Sequence, residues 1–440
     1  MKIFADLHIH SRHSQATSDK INLENLEKYA RIKGLGLLGT GDFTHPKWIN
    51  EIKTGLKEDG SGILRTATNF PFVLQTEISL AYTQGGKGRR IHHLLLAPGI
   101  EIVKQITDFL LTKGRVDYDG RPIFGFSSIE LAEKMAEISP DIEIIPGHAW
   151  TPYFGVFGSK SGFNSLKECF GGKVNRIHAI ETGLSSDPAM NWRIKELDNI
   201  TLISNSDLHS YWPWKIGREA NVFEMKDLTY KNILAAIRER KGFVETVEVD
   251  PGYGKYHFDG HKACDVVMSP RESLQCGGIC PKCGKKLTIG VLNRVDELAE
   301  KDRPEGFMLR GAVPFRSLIP LAEIITGLKG LSIATLGAAK LTAAEKEAWK
   351  TYNALIEKFG TEFNVMLEAA EDDLKKVVEE NLAAAIMKNR EGKIKIKPGY
   401  DGAYGEPVFD NNGNSQKNES NKGKEKKVIG SKQQGLNRFF

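Results

Sequence analysis

The chain has 440 residues, enough for two or three domains, because one hydrophobic core seldom grows beyond ~250–300 residues. Its 40% hydrophobic and 27% charged residues are typical of a soluble globular protein and exclude a chain that is disordered throughout. The net charge of +5 equals the excess of basic residues at positions 414–440, so a nucleic-acid-binding surface elsewhere has to be a local patch. No apolar run approaches the ~20 residues of a membrane span, and we expect a cytoplasmic protein with no membrane partner.

The first 245 residues repeat one pattern, in which a short apolar run is followed by a polar cluster and then by a segment compatible with a helix. This alternation is typical of an α/β fold and of a β/α barrel, where catalytic groups lie at the carboxyl ends of the strands. Seven strands are predicted: Lys2–Leu7, Gly36–Thr40, Phe72–Thr76, His93–Ala97, Glu143–Pro146, Ala179–Ile180 and Thr201–Ser204. A potential metal ligand lies beside each strand, and the set is His8, His10, Asp42, Glu77, His92, His148, Glu181, Asp207 and His209.

The spacing of these residues favours metal binding. His8 and His10 are two apart on an extended segment, so both imidazoles point to one face and can chelate one ion. Asp207 and His209 form a second such pair, and the alternative is that both pairs are polar surface residues at strand ends. Clustered divalent ions suit phosphodiester hydrolysis. We therefore predict two catalytic residues, Glu77 as a bridging carboxylate and Asp207 as a ligand that also orients the attacking water.

The segments Asp6–His10, Thr40–Asp42, Thr76–Glu77, Gly147–His148 and Ser206–His209, with His92 and Glu181, resemble the ordered metal motifs of the PHP family of phosphoesterases. The resemblance implies a distorted seven-stranded barrel with two or three divalent metals, which could be Zn, Mn or Mg. One motif departs from the family, because His45 follows Asp42 by three residues instead of one. Gln15 or Asp19 would have to replace the ligand that usually follows the first His pair.

Residues 246–300 predict a small zinc-binding module. His261 and Cys264 form one ligand pair, and Cys280 and Cys283 form a second pair with the Cys-x-x-Cys spacing of zinc knuckles. Cys276 is a rival ligand, and His257 is a weaker one. Because a closed four-ligand site leaves no position open for chemistry, we expect one structural Zn.

Two loops rich in aromatic residues follow His148 and His209. Their side chains either form a hydrophobic lid or wedge into an unstacked duplex and hold an extruded base, while hydroxyl and amino groups contact phosphates. The candidate DNA or base contacts are Trp150, Tyr153, Phe154, Ser159, Lys160, Ser161, Tyr211 and Trp212.

The last part of the chain divides into three segments. Residues 301–410 predict a mainly helical domain, and residues 411–432 predict a disordered basic linker without aromatic residues. Residues 433–440 resemble the box that binds PCNA-type sliding clamps, and the alternative is a chance match in a random tail. The resemblance implies that this clamp is a partner, bound through Gln433, Leu436, Phe439 and Phe440.

Taken together, the barrel, zinc module, helical segment and clamp box resemble the endonuclease Q family of DNA repair enzymes. The resemblance implies cleavage of double- or single-stranded DNA on the 5′ side of uracil, hypoxanthine, xanthine or an abasic site, with the lesion flipped out of the helix. Two alternatives remain open, a phosphatase acting on a small phosphate ester and a non-catalytic scaffold bound to the clamp. The stretches that carry this resemblance are 158–163, 181–192, 215–221 and 314–320.

Overall fold

The seven predicted strands are all present in the computed structural model, which describes residues 1–409. The predicted linker 411–432 and clamp motif 433–440 lie outside the described residues. The strands up to residue 248 are β1 (Lys2–Asp6), β2 (Leu37–Gly39), β3 (Lys57–Glu58), β4 (Leu64–Arg65), β5 (Pro71–Gln84), β6 (Lys87–Ala97), β7 (Ile123–Phe124), β8 (Glu143–Pro146), β9 (Ala179–Glu181), β10 (Thr201–Ile203), β11 (Ala220–Glu224) and β12 (Phe243–Glu248).

Helices connect many of these strands, as the α/β prediction requires. Their ends follow ordinary capping rules: α1 begins where the Asn22 side chain accepts a bond from the Asn25 N–H and ends at Gly34, which has a φ of 97°. The helices of this part are α1 (Leu23–Lys33), α2 (Pro46–Gly55), α3 (Ile100–Leu111), α4 (Ser128–Ile138), α5 (Leu166–Phe170), α6 (Pro188–Asn191) and α7 (Tyr230–Glu239).

The main sheet is mixed. Strands β1, β2 and β5 pair in parallel, whereas β11 runs antiparallel to β1. Strands β9 and β10 form a separate parallel pair. An isolated parallel bridge between Ile9 and Leu208 joins the chain after β1 to the chain after β10. The strand ends that carry the predicted ligands are thereby brought to one side of the fold.

The regular alternation of strand and helix that we predicted is wrong at one step. Strand β6, which contains His93–Ala97, forms a hairpin with β5 and runs antiparallel to both β5 and β8. An antiparallel strand begins where its neighbours end, so the start of this segment reaches the ligand side. Accordingly His92 pairs with Ser79, and His93 pairs with Pro146, directly before Gly147 and His148.

One hydrophobic core cluster holds the strands together. It contains a buried residue from each of the seven predicted strands: Ala5, Leu37, Val73, Leu94, Ile145, Ala179 and Ile203. Burying a branched aliphatic side chain stabilises a fold by ~1.5–3 kcal/mol. Because these residues precede or follow the polar ligands by only a few positions, the core sets the distances among the ligands.

The rest of the described chain packs on this framework, and Met1–Val408 form one compact unit. A buried ion pair joins Lys33 on α1 to Glu362. The Lys33 Nζ and Glu362 Oε1 atoms are 2.7 Å apart, and the side chains are 3% and 1% exposed. The strands are β13 (Asp259–His261), β14 (Val266–Met268), β15 (Phe315–Ser317), β16 (Lys395–Lys397) and β17 (Glu406–Val408). The helices are α8 (Pro270–Gln275), α9 (Val291–Leu298), α10 (Leu321–Leu328), α11 (Ala343–Phe359), α12 (Glu371–Lys375) and α13 (Glu380–Arg390).

Strand β15 pairs in parallel with β12 and so extends the main sheet, although it belongs to the segment predicted as mainly helical. Helices nevertheless account for most of the regular structure between residues 321 and 390. Within residues 1–409, we find no helix with the length and apolar character that a membrane crossing requires.

Candidate metal centre and active site

Two groups of potential metal ligands lie side by side where the strands end. His8, His10 and Asp207 form the first group, and Glu77, His92 and His148 form the second group. Within each group, one ligand atom from each residue lies within 4.8 Å of the others. Six of the nine predicted barrel ligands are thus brought together, although they are spread over 200 positions of the sequence.

Glu77 lies between the two groups. Its Oε1 atom is 2.8 Å from His92 Nδ1 and 3.2 Å from His148 Nε2, whereas its Oε2 atom is 3.3 Å from His10 Nε2. Burial would raise the pKa of this carboxyl group, but its electrostatic interactions with His92, Arg121 and His8 outweigh burial and hold the pKa well below its usual value. A buried, ionised carboxylate with one oxygen toward each group has the geometry of a bridge.

Asp207 is the more accessible carboxylate of the site. Its Oδ1 atom lies 3.1 Å from His10 Nε2 and 3.5 Å from His8 Nε2. The Asp207 side chain is 28% exposed, whereas those of both histidines are fully buried. A water or substrate oxygen can therefore reach the centre from the side of Asp207.

Asp42, predicted as a ligand, lies outside both groups and orients His10. Its Oδ1 atom is 3.0 Å from His10 Nδ1. Its Oδ2 atom accepts bonds from the Ser11 N–H and hydroxyl, both at 2.6 Å, and from the Ser14 hydroxyl at 2.9 Å. With both oxygens engaged, Asp42 sets the direction in which His10 presents Nε2.

Glu181, also predicted as a ligand, has the same relationship to His8. Both carboxylate oxygens lie 3.0 Å from His8 Nδ1. The carboxylate also accepts a bond from the His148 N–H at 2.7 Å and one from the Asn205 amide at 2.9 Å. Carboxylates behind metal-binding histidines recur in metal sites, because they hold one ring nitrogen so that the other faces the ion.

His8 supplies the clearest sign that a cation fits this centre. Its Nε2 atom is buried and has no hydrogen-bond partner among the described residues. The nearest carboxylate oxygens belong to Asp207 and Glu77, at 3.5 Å and 3.7 Å. An unsatisfied buried polar atom is costly, and imidazole and carboxylate donors together suit Zn, Mn and related divalent ions.

The remaining predicted or uncertain ligands lie at the margin. His209 donates through Nδ1 to the Asp207 carbonyl at 2.7 Å, and its ring packs edge-on against His10. His45 occupies the N-cap position of α2 and stacks on His13 with ring centres 4.4 Å apart. Gln15 and Asp19 are exposed.

Three residues of the site have a left-handed backbone. Asp42, His148 and Asp207 have φ values of 38°, 29° and 47°. Residues other than glycine seldom adopt positive φ, and such conformations persist where surrounding contacts enforce them. Here the strained backbone turns each side chain into the site within four residues of the end of a strand.

Arg121 is a residue of the site that the sequence did not reveal. Its Nη1 atom lies 3.3 Å from Glu77 Oε2, and its side chain is 19% exposed. Arginine is not a metal ligand, and this one lies in a long connection between α3 and β7 without a recognisable motif. Only the return of that connection over the strand ends brings it to the centre.

The candidate DNA contacts separate by exposure. Trp150 is 1% exposed, and its indole N–H donates to Asn191 Oδ1 at 2.8 Å. Tyr211 and Ser161 are 6% and 8% exposed. These three side chains are buried inside the loops. Their burial agrees with the alternative that the loops form a hydrophobic lid.

Other candidates lie nearer the surface. Tyr153 is 40% exposed, and Lys160 is exposed as well. Phe154 packs on the His92 ring with centres 4.3 Å apart, and Ser159 is half-buried. Trp212 stacks on Trp214, with ring centres 5.3 Å apart. Tyr153 and Lys160 are therefore the candidates best placed to contact a macromolecule.

The predicted zinc ligands also converge, since His261, Cys264, Cys280 and Cys283 each offer an atom within 4.8 Å of the others. Burial raises the pKa of the Cys280 thiol, but hydrogen bonds from the backbone of Lys282 and Cys283 outweigh it and lower the pKa to about 6. A thiolate is the form that binds zinc. The set therefore suits a closed tetrahedral Zn site.

The two rival zinc ligands lie outside this set. The Cys276 thiol is 3.3 Å from the Ser273 carbonyl and 3.6 Å from the Met268 sulfur. His257 stacks on Phe258. The four residues predicted first are therefore the ones whose ligand atoms lie close together.

Comparison with known proteins gives relatives over nearly the whole chain. The family model of the MJ0043 C-terminal domain matches residues 320–393. The uncharacterized protein YqxK of Bacillus subtilis is 30% identical over 425 residues, which are 92% of this chain and 98% of that protein. The uncharacterized protein MJ0043 of Methanocaldococcus jannaschii is 33% identical over 273 residues, and the match spans 31% of its length and 60% of this chain.

Two solved structures are similar at the level of the whole fold. The lesion-specific endonuclease PfuEndoQ of Pyrococcus furiosus is 31% identical, with a TM-score of 0.81 over 93% of this chain and 96% of that one. A structure of endonuclease Q with a 27-mer duplex and an abasic lesion at its active site is 32% identical, with a TM-score of 0.80 over 93% and 97%.

Proposed function

This chain belongs to the endonuclease Q family, and from that premise we propose that it is a metal-dependent DNA repair endonuclease. Its substrate is DNA that contains a deaminated base or an abasic site. Cleavage occurs at the phosphodiester bond on the 5′ side of uracil, hypoxanthine, xanthine or the abasic residue. The observation that carries the proposal is Glu77, whose two oxygens face two separate groups of imidazole and carboxylate donors.

The donor chemistry assigns each residue a role. His8, His10 and Asp207 would hold one divalent metal, and Glu77 would link it to a second held by His92 and His148. Metals at such a site generate hydroxide near neutral pH and neutralise the charge of the phosphate. Two or three ions of Zn, Mn or Mg meet these needs.

The chain's own residues prepare the attack. Asp207, the more accessible carboxylate, accepts a hydrogen bond from the attacking water and directs it at phosphorus. Asp42 and Glu181 keep the two buried histidines in the orientation that the centre requires. Holding groups in place before the reaction removes much of the entropic barrier, and so the rigid hydrogen bonds behind the site contribute to the rate.

A lesion reaches the centre by flipping. An unpaired, damaged or absent base costs less to extrude than a paired base, and this difference supplies selectivity. The endonuclease Q relative holds an abasic lesion at its active site, which supports the same geometry here. In this chain, Phe154 packs on the His92 ring, and together with its exposed neighbour Tyr153 it would support the displaced nucleotide.

The first 245 residues we interpret as a distorted seven-stranded PHP barrel. The bridge between Ile9 and Leu208 supports this, because it links the segments after β1 and β10. His261, Cys264, Cys280 and Cys283 would bind one structural Zn. Gln433, Leu436, Phe439 and Phe440 would bind a PCNA-type sliding clamp, a proposal that rests on their sequence alone.

The test of the activity uses matched labelled duplexes that differ at one position. Uracil, hypoxanthine, xanthine and an abasic residue are each compared with the undamaged base, with Zn, Mn and Mg added in turn. We expect a single nick 5′ to the lesion and none in the undamaged duplex. Cleavage of small phosphate monoesters without nicking of any duplex would instead identify a phosphatase.

The clamp proposal is tested separately with full-length protein and a purified PCNA-type clamp. Alanine at both Phe439 and Phe440 should abolish binding and leave nicking of free duplex unchanged, because both residues lie far along the sequence from the metal ligands. Alanine at Asn437, between the proposed anchors, is the control. If both variants bound the clamp equally well, residues 433–440 would not be the clamp-binding motif.

A further inference from the structure

Arg121 is held at the metal centre by its own connection. Its backbone N–H donates to Asp119 Oδ1 at 3.0 Å, and the Gly120 N–H donates to the His13 carbonyl at 3.0 Å. On the other side, the Pro122 carbonyl accepts from the Ser79 N–H at 3.0 Å, directly at strand β5. These bonds fix the backbone on both sides of Arg121, so its side chain begins from a defined position beside strand β5.

The guanidinium has capacity for another partner. Among the described residues, Glu77 is the one side chain to which it donates, through Nη1 at 3.3 Å. A charge-assisted bond is usually ~2.7–2.9 Å long, so this contact is a loose one. A guanidinium has five N–H donors in a planar fork. Most of that fork is directed at no side chain of the described residues.

A cation beside a group of metal ligands also needs an explanation. If Arg121 only neutralised Glu77, it would compete with the metals that this carboxylate is placed to bridge. A phosphodiester removes the conflict, since its two non-bridging oxygens carry negative charge and match the guanidinium fork. The side chain is 19% exposed, so part of it remains open to a ligand.

We propose that Arg121 is a catalytic residue that binds a non-bridging oxygen of the scissile phosphodiester. The inference rests on the proposed endonuclease function and adds a phosphate contact that does not pass through a metal. The contact strengthens as charge accumulates on the phosphoryl oxygens, so it stabilises the transition state more than the ground state.

The first test compares Arg121→Gln and Arg121→Lys in single-turnover cleavage of an abasic duplex at saturating protein. A single preorganised donor of this type contributes ~10²–10³-fold to rate, and we expect a loss of that size for Gln. Arg121→Lys retains the positive charge and should therefore retain part of the rate that Arg121→Gln loses. Arg115→Gln is the control, because Arg115 lies in the same connection, is 73% exposed and pairs with Asp117.

Metal content and melting temperature are measured for the same variants by elemental analysis and thermal unfolding. Both should equal those of the wild-type protein. A metal content that falls in parallel with the rate would show that Arg121 only supports Glu77, and would overturn the inference.

Sulfur substitution gives a readout that a supporting role would not change. Each non-bridging oxygen of the scissile phosphate is replaced by sulfur in turn. The wild-type enzyme should be slowed by one isomer through loss of the arginine contact, and Arg121→Gln should lose that extra slowing. An identical thio effect in both proteins would overturn the inference while the endonuclease function stands. A wild-type protein that nicks no damaged duplex would overturn both.

Discussion

Glu181 lies 3.0 Å from the Nδ1 atom of His8 and thereby turns the His8 Nε2 atom toward the centre of the site. The ring is completely buried, so its orientation depends on this bond. The two residues are 173 positions apart in the chain. Their contact explains why a predicted ligand lies behind the donor groups, and it predicts how the site responds when the carboxylate is removed.

Replacing Glu181 by Gln should weaken metal binding without removing a ligand atom. Loss of a partner behind a metal-binding histidine usually lowers metal affinity by ~10–100-fold. Competition with a chelator, followed by elemental analysis, measures the change. Glu196→Gln serves as a control, since Glu196 accepts bonds from the backbone of Leu166 and Lys167 instead of from a ligand. Unchanged affinity would show that His8 needs no such support.

Replacing Asp207 by Asn should separate catalysis from stability. The side chain is 28% exposed and keeps its shape as an amide, so we expect a melting temperature within a few degrees of the wild-type value. Nicking of an abasic duplex should fall by at least ~10²-fold, because the amide binds metal poorly and cannot accept as strongly from water. Reduced stability with wild-type nicking would show that Asp207 supports the fold and not the reaction.

The zinc module can be tested with two cysteines that lie close together in sequence. Cys283→Ser should remove about one equivalent of Zn and lower the melting temperature by ~5 °C or more, because metal binding contributes directly to the stability of small modules. Cys276→Ser should retain zinc, since its thiol contacts Met268 and Ser273 instead. The reverse pattern would assign Cys276 as the ligand.

Glu248 makes the stability of the fold depend on pH. Burial raises the pKa of this carboxyl group to about 7, although hydroxyl groups of Thr246, Ser204 and Thr182 donate to it. The folded state thus binds a proton more tightly than the unfolded state, where the pKa is ~4.5, and stability must fall as the pH rises from ~4.5 through 7.

Chemical unfolding at pH 5 and pH 8 measures this effect, which should be on the order of 1–3 kcal/mol. Glu248→Gln cannot ionise, so its decrease in stability between the two pH values should be smaller. Glu305→Gln, at an exposed position, should behave as the wild-type protein does. If Glu248→Gln lost as much stability between pH 5 and pH 8 as the wild-type protein does, Glu248 would not be the group responsible.

Alanine substitutions at two aromatic residues of one loop should affect different properties, DNA binding at Tyr153 and stability at Trp150. Tyr153→Ala should weaken binding and nicking of an abasic duplex while the melting temperature stays the same, because its ring is 40% exposed. Trp150→Ala should unfold more easily by ~3–5 kcal/mol, since it leaves a cavity and removes the donor to Asn191 Oδ1. Fluorescence anisotropy and denaturant unfolding measure the two effects. A destabilised Tyr153 variant with normal DNA binding would place that residue in the lid instead.

Much of the fold followed from local patterns. The seven strands were predicted from short β-branched runs, and each is present, because the preference for extended structure depends on neighbouring residues. The antiparallel course of β6 was missed. A strand has the same composition in either direction, and only its hairpin with β5 decides which end His92 occupies.

The sequence by itself determined the chemical types present: chelating His pairs, carboxylates after strands and paired zinc ligands, all of which are set by spacing within a few residues. Tertiary structure decided which of them share a centre. It placed Asp42 and Glu181 behind His10 and His8, separated Cys276 from the four predicted zinc ligands and brought Arg121 to Glu77. These relationships join residues from distant elements, and they depend on strand register, core packing and left-handed backbone at three residues, none of which a local pattern encodes.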